Sequence, residues 1–268
     1  MSSIDMLKIG FDSFLGTLRD RWNEQSRVWT LSNILEVVVN FAIFAFLSKL
    51  LYKEAYVYLN FFALNFMGTR LASIGREFVS FVCQGRGKGA VRTLIPLRRT
   101  LAPVYIWAFL IEGFDAGWAV ALAFLILIAF GGSLGTSIND LPSILLIVLG
   151  YGVFLALIEM SFQPIHARSQ GVASALGNTF TLFHNFISGV YFPIAEFKKV
   201  SEPLFHLSSV YPGFLFLQAF REAAYGAVSP QLLIPSMATA FLGVLALKWA
   251  MGKYWKYVVN NDLWEWRP

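Results

Sequence analysis

A single cysteine, Cys83, stands among 268 residues. One thiol excludes an intrachain disulfide and a multi-cysteine metal site, leaves the redox compartment open, and is expected to serve packing. Charge is scarce as well. Only 14% of residues are Asp, Glu, Lys or Arg, well below a soluble globular chain, and no charge run of the kind that grips nucleic acid occurs. Of the three histidines, His166 and His206 have no spaced Cys, His or carboxylate partners of the kind that mark a metal site. Heptads of a soluble coiled coil are absent. So is a phosphate-binding loop. The nearest stretch, GRGKGA at 85–90, lacks both the spacing and the hydroxyl of GxxxxGK followed by Ser or Thr. The chain itself is therefore not expected to be an enzyme or to hydrolyse nucleotide.

What is abundant is apolar. Hydrophobic residues make up 57% of the chain and aromatics 16%, with a mean hydropathy of +0.60. These values imply an all-α integral membrane protein, multi-pass in the cell membrane. The net charge of +5 and pI near 9.3 are expected to reflect orientation in the membrane, because the basic residues fall mostly between apolar runs. The N-terminus has interspersed acids and no apolar core leading to a small-residue cleavage site, so it is expected not to be a removable signal and to leave Met1 or Ser2 first.

The whole of 1–268 is expected to form a single transmembrane domain. Over 1–27, Leu7, Phe11, Phe14, Leu18 and Trp22 recur at helical spacing opposite Lys8, Asp12 and Arg19, which predicts an amphipathic helix in the membrane interface. Residues 28–76 hold spans one and two, about 30–50 and 55–74. The first carries Asn33, Glu36 and Asn40 on one helix face. A mid-membrane carboxylate costs on the order of 2.5 to 3.5 kcal/mol, so this face should meet protein or water, unless Glu36 lies near the cytoplasmic end and reaches headgroups. Arg70 and Arg76 are taken to mark the exit of span two, and the basic, glycine-bearing stretch 77–100 reads as the largest cytoplasmic loop.

Residues 101–192 hold spans three to five. The third apolar run, interrupted by Glu112, Gly113, Asp115 and Gly117, is expected to kink or tilt. The fourth covers about 141–162 and ends near Glu159, Pro164, His166 and Arg168. In the fifth, about 172–192, Ser174, Asn178, Thr181, Asn185 and Ser188 step by four and three, one unbroken helix face. That stripe reads either as a polar wall or as a close helix contact; both place it inside an assembly. Residues 193–230 are apolar yet broken by Pro193, Pro203 and Pro212, so they are expected to dip into the membrane and return as a re-entrant outer hairpin. Span six, about 232–251, and an aromatic, lysine-bearing tail complete 231–268. Placing Lys49, Lys53, Lys198, Lys199 and Arg221 outside leaves the rest of the 21 basic residues inside. Six spans with both termini cytoplasmic follow.

One formal GxSxG occurs, at 131–135 around Ser133. A nucleophile elbow needs a strand before the serine, whereas Ser133 follows an apolar helix, so a turn is the simpler reading. An intramembrane hydrolase pairing Ser133 with His184 remains one alternative; an ATP-independent secondary transporter or channel is another, disfavoured by the lack of broken helices in both halves. A purely structural membrane subunit is a third.

The order of parts resembles the membrane-spanning subunit of type-2 ABC exporters. SGVYFPIAEF at 188–197 and HLSSVYPGFLFLQAFREAAYG at 206–226 are similar to that family's SG-x-x-FP, proline-containing turn and alanine-arginine segment. In this hairpin Phe192, Pro193, Pro212 and Arg221 carry the match. TLIPLRRTLAP at 93–103 is similar to a segment of polysaccharide-exporting relatives. Many relatives carry Glu-x-Gly-Thr in the coupling region, where this chain has Gly87, Lys88, Gly89 and Ala90. The resemblance implies two membrane subunits, a second copy or homologue, with two separate ATPase subunits that bind ATP and Mg; this chain would hold no cofactor of its own. It implies that Gly85, Arg86, Gly87, Lys88, Arg92 and Thr93 sit on the ATPase, and that spans one, two and five line the path at the dimer axis. The polar faces of spans one and five agree, and mostly uncharged walls favour an amphipathic substrate such as a lipid, lipid-linked glycan or hydrophobic drug, with membrane lipid as neighbour and no nucleic acid.

Overall fold

The computed structural model describes residues 35, 37–39, 41–43, 46, 55–84, 102–129, 140–226 and 229–260. The expected interfacial helix, Asn33, Glu36, Asn40, the coupling residues 85–93, Ser133 and the tail after 260 lie outside them. No strand occurs among the described residues. Helices run in the order α1 (Ala55–Gln84), α2 (Ala102–Ala129), α3 (Leu141–His166), α4 (Gln170–Ile187), α5 (Ile194–Val200), α6 (Glu202–Val210), α7 (Pro212–Ala224) and α8 (Pro230–Asn260).

Among the described residues three segments are long and apolar enough to cross a membrane: Glu112–Ala129, Leu141–His166 and Pro230–Val258, with mean hydropathies of 1.7, 2.5 and 1.6. The helices α1 and α4, where spans two and five were expected, are not in that set. Asn65, Arg70, Arg76 and Glu77 on α1 and the Ser-Asn-Thr face of α4 lower their hydropathy.

α3 is the hub, packed against α1, α4, α7 and α8. Its glycines permit this. A Cβ on Gly75 of α1 would collide with the carbonyl of Gly152, and one on Gly150 would lie 2.5 Å from Ser236 O of α8. Small residues at such crossings let two backbones approach and gain packing that apolar lipid cannot supply. The larger core joins Phe62, Phe66, Ile147, Tyr151, Leu217 and Phe220 from α1, α3 and α7.

Two boundaries differ from the sequence reading. α1 continues to Gln84, through the start of the expected 77–100 loop, because Val79, Val82 and Cys83 pack against Met160 of α3 and Met251 and Tyr254 of α8. Cys83 is buried there. Between these two, α2 runs through Gly113 and Gly117 as one helix. α4 stops at Ile187, five residues before the expected end at 192, where Ser188 Oγ donates to His184 O at 2.5 Å and Gly189 adopts φ +69°. Glycine takes this left-handed conformation without the cost a Cβ would impose.

After that turn the chain makes three short helices with prolines at their starts. Pro193 is the N-cap of α5, Pro203 opens α6 behind Ser201, whose Oγ accepts from Leu204 N at 3.4 Å, and Pro212 opens α7. Proline is tolerated there because the first helical N–H groups have no partner inside the helix.

Candidate functional site

Four helices, α1 to α4, surround a cavity of about 410 Å³. On α1, Arg70, Ser73, Ile74 and Glu77 face it, the positions i, i+3, i+4 and i+7 that share one side of a helix. Opposite stand Glu112 of α2, Glu159 of α3, and Thr181 and Asn185 of α4. Val190 and Tyr191, just past the Gly189 turn, line it too.

The charged groups join three helices. Arg76 Nε donates to Glu159 Oε2 at 3.1 Å and Nη1 to Thr181 Oγ1 at 2.6 Å. Gln163 Nε2 donates to the other Glu159 oxygen at 2.9 Å. Thr181 in turn donates to Gly177 O at 2.8 Å, so its hydroxyl is oriented to accept from the arginine. The Glu159 side chain is 6% exposed and that of Arg76 31%. A carboxylate so buried needs a cation and a second donor, and both are present. Below this pair a smaller cavity of about 130 Å³ is lined by His166, Ser174, Asn178, Arg76 and Glu159. The ion pair thus borders both spaces.

A buried chain of hydrogen bonds runs through His184 at the wall of the cavity. His184 of α4 is 3% exposed. Its Nε2 meets Tyr151 Oη at 2.6 Å and its Nδ1 meets Tyr211 Oη at 2.8 Å. The ring also stacks on Phe180, centroids 5.7 Å apart. Both nitrogens are engaged in positioning α4 against α3 and the start of α7. Gly213 is small for the same reason: a Cβ there would lie 2.5 Å from Ser188 Oγ and 2.7 Å from His184 Cε1.

The third set fastens the turn after α4. Asn65 of α1 is fully buried. Its amide nitrogen donates to Gly189 O at 2.9 Å and Val190 O at 3.2 Å, while its oxygen accepts from Arg221 Nη1 at 2.6 Å. The Arg221 guanidinium lies 4.8 Å from the ring centroid of Phe61 and 5.8 Å from that of Phe214, a cation stacked on aromatic faces.

The five residues of the α4 stripe are spread along a gradient of burial. Ser174 and Asn178 are exposed, Thr181 and Asn185 half-buried at the larger cavity, and Ser188 buried behind it. Asn185 Nδ2 donates to Tyr191 Oη at 3.2 Å. Of the hairpin residues, Phe192 and Pro193 follow the turn, Pro212 starts α7, and Arg221 reaches Asn65. The sequence reading missed Asn65, the Arg76 to Glu159 pair and the tyrosines around His184. The signal was available for the pair: unlike charges inside apolar runs have to find one another. No family model and no curated protein sequence matches the chain.

Proposed function

We propose that this chain is the multi-pass permease subunit of an ATP-driven exporter of the type-2 ABC kind. In this reading it has six spans, both termini cytoplasmic, and a re-entrant hairpin made by α5, α6 and α7. α1 and α4 count as spans two and five because their polar residues turn to a cavity and to neighbouring helices. Thirty residues of helix in α1 are about 45 Å long, ample for a bilayer core.

One observation carries the reading. The segments that resemble the exporter family, the Ser188-Gly189 turn and the alanine-arginine helix, meet at a single α1 residue, Asn65, at the end of the polar cavity where Val190 and Tyr191 stand. An outer hairpin fastened to a cavity-lining span can follow that span's motion. A separate ATPase subunit, holding ATP and Mg, would close on nucleotide and push the loop around Arg86, Lys88 and Arg92. The stripes of spans one and five would then part for an amphipathic substrate at the axis with a second membrane subunit.

A second reading, ATP-independent secondary transport, is favoured by one observation: the ion pair of Arg76 and Glu159 bordering two cavities. Intramembrane charge pairs mark ion and proton routes in such transporters. Purification of the chain from its native membrane in mild detergent separates the two. The exporter reading expects an ATPase subunit to come with it; a chain that transports alone after reconstitution refutes that reading.

A further inference from the structure

The end of α8 gathers cations on the side turned away from the protein. Met251, Tyr254 and Val258 are buried against α1 and α3. Trp249, Lys253 and Lys256 stand opposite them and exposed, at the i, i+4 and i+7 positions of one helix face. Lys248 is exposed beside them, and between it and Lys256 lies Gly252; no atom stands within 4 Å of a Cβ placed on that glycine, so this part of the helix surface is open. The turn between α3 and α4 brings a fourth cation. The exposed Arg168 donates from Nε to Tyr257 Oη at 2.7 Å, and its guanidinium lies 5.7 Å from that ring's centroid. Lys253 Nζ likewise lies 5.5 Å from the ring centroid of Trp249. α8 contains no Asp or Glu, and among the described residues none of its three lysines forms a salt bridge.

Position along the helix says what covers this face. Pro230–Val258 is apolar enough to cross a membrane, and positions 230–247 carry no charge. Its 29 residues extend about 43 Å against a hydrocarbon core of about 30 Å, so the last turns, where the lysines stand, reach the headgroup layer. Tryptophan and tyrosine favour that level. Phosphate there is the complementary charge. We propose that Lys253, Lys256 and Arg168, with Lys248 beside them, form a site for the headgroup of an anionic phospholipid. Its phosphate sits among the cations, and its acyl chains run along Leu242, Leu245 and Trp249, which are 62%, 54% and 67% exposed on the same side of α8. A zwitterionic headgroup presents its own cation to the same lysines and is held less tightly. The site belongs to this chain as a membrane protein and does not depend on an ATPase partner.

The test compares two lipids with the same acyl chains and different headgroups. The full chain, delipidated in mild detergent, is titrated with dioleoyl phosphatidylglycerol and, separately, with dioleoyl phosphatidylcholine, and bound lipid is counted by native mass spectrometry. Saturable binding of the phosphatidylglycerol is expected, at least tenfold tighter than that of the phosphatidylcholine. Lys253→Gln with Lys256→Gln should weaken it at least fivefold, whereas Lys198→Gln with Lys199→Gln, which removes the same charge from α5, should leave it unchanged. Inorganic phosphate should not displace the lipid. Equal affinity for the two lipids, displacement by inorganic phosphate, equal weakening by the two pairs of changes, or full affinity in the folded Lys253 and Lys256 variant overturns the proposal. If that variant does not elute as a monodisperse protein, Arg168→Gln decides, with a severalfold loss expected and full affinity overturning the site. Failure here leaves the exporter reading untouched, and absence of a copurifying ATPase leaves the lipid site untouched.

Discussion

Arg221 and Asn65, 156 positions apart, share a 2.6 Å hydrogen bond that ties α7 to α1. Asn65 spends its other polar group on the carbonyls of Gly189 and Val190, so one buried side chain joins the helix after the turn, the turn itself and the cavity wall. Asn65→Leu leaves two carbonyls and a guanidinium without this partner. The variant should lose about 2 to 4 kcal/mol, several hydrogen-bonding groups being affected at once. Arg221→Lys should recover little of an Arg221→Met defect, because a lysine cannot keep the planar fork on Asn65 and the Phe61 ring. Thermal unfolding in detergent measures both.

A second prediction concerns Arg76 and Glu159. Arg76→Met takes the cation away from a carboxylate that is 6% exposed and keeps its bond from Gln163, which should cost roughly 3 kcal/mol, the low end for a broken buried pair because the arginine is itself 31% exposed. The double variant Arg76→Met with Glu159→Leu should regain much of that loss. Denaturant unfolding of the two single variants and the double one gives the coupling; additive losses would show that the pair does not interact.

Gly75 faces the Gly152 carbonyl at the crossing of α1 and α3. Since backbone cannot rotate aside as a side chain can, Gly75→Ala should cost about 1 to 3 kcal/mol, whereas Gly117→Ala, with open space around its Cβ position, should be neutral or slightly stabilising. Melting temperatures of the two variants, compared side by side, check this.

Tyr151→Phe removes the hydroxyl beside His184 Nε2 and keeps the ring stacked on Phe216, centroids 5.3 Å apart. A loss of about 1 kcal/mol is expected, typical of a hydrogen bond between membrane helices, with transport retained. If a hydrolytic activity were found and depended on His184, the positioning role assigned to this imidazole would be wrong.

Much of this architecture is legible in the sequence, for reasons that differ by element. The apolar runs of α2, α3 and α8 announce themselves because a membrane-crossing helix needs an unbroken stretch of about 20 apolar residues. Pro193, Pro203 and Pro212 mark the starts of short helices because proline fits the first turn and little else in a helix. The end of α1 was misplaced, since Arg70 and Arg76 resemble the basic flank of a span; only the folded chain brings Glu159 to Arg76. Asn65 gave no local signal at all. Its partners lie more than a hundred positions away, and no periodicity on α1 encodes them. The α4 stripe was readable as a face, but which part of that face meets the cavity depends on how α1 and α3 cross.

Asn185 tests the path more directly. It borders the cavity and donates to Tyr191, so Asn185→Leu should slow transport severalfold with little change in melting temperature. Transport at the wild-type rate would remove α4 from the path.

The central claim, coupling to a separate ATPase, is tested most directly by vanadate-sensitive ATP hydrolysis in the complex purified through this chain, with and without the paired changes Arg86→Glu and Lys88→Glu. The account predicts hydrolysis that copurifies with the wild-type chain and is lost from the charge-reversed one, while the membrane subunit remains folded. Undiminished hydrolysis in the reversed variant would contradict the coupling role of this loop, and a folded, transporting wild-type chain with no ATPase attached would contradict the exporter assignment itself.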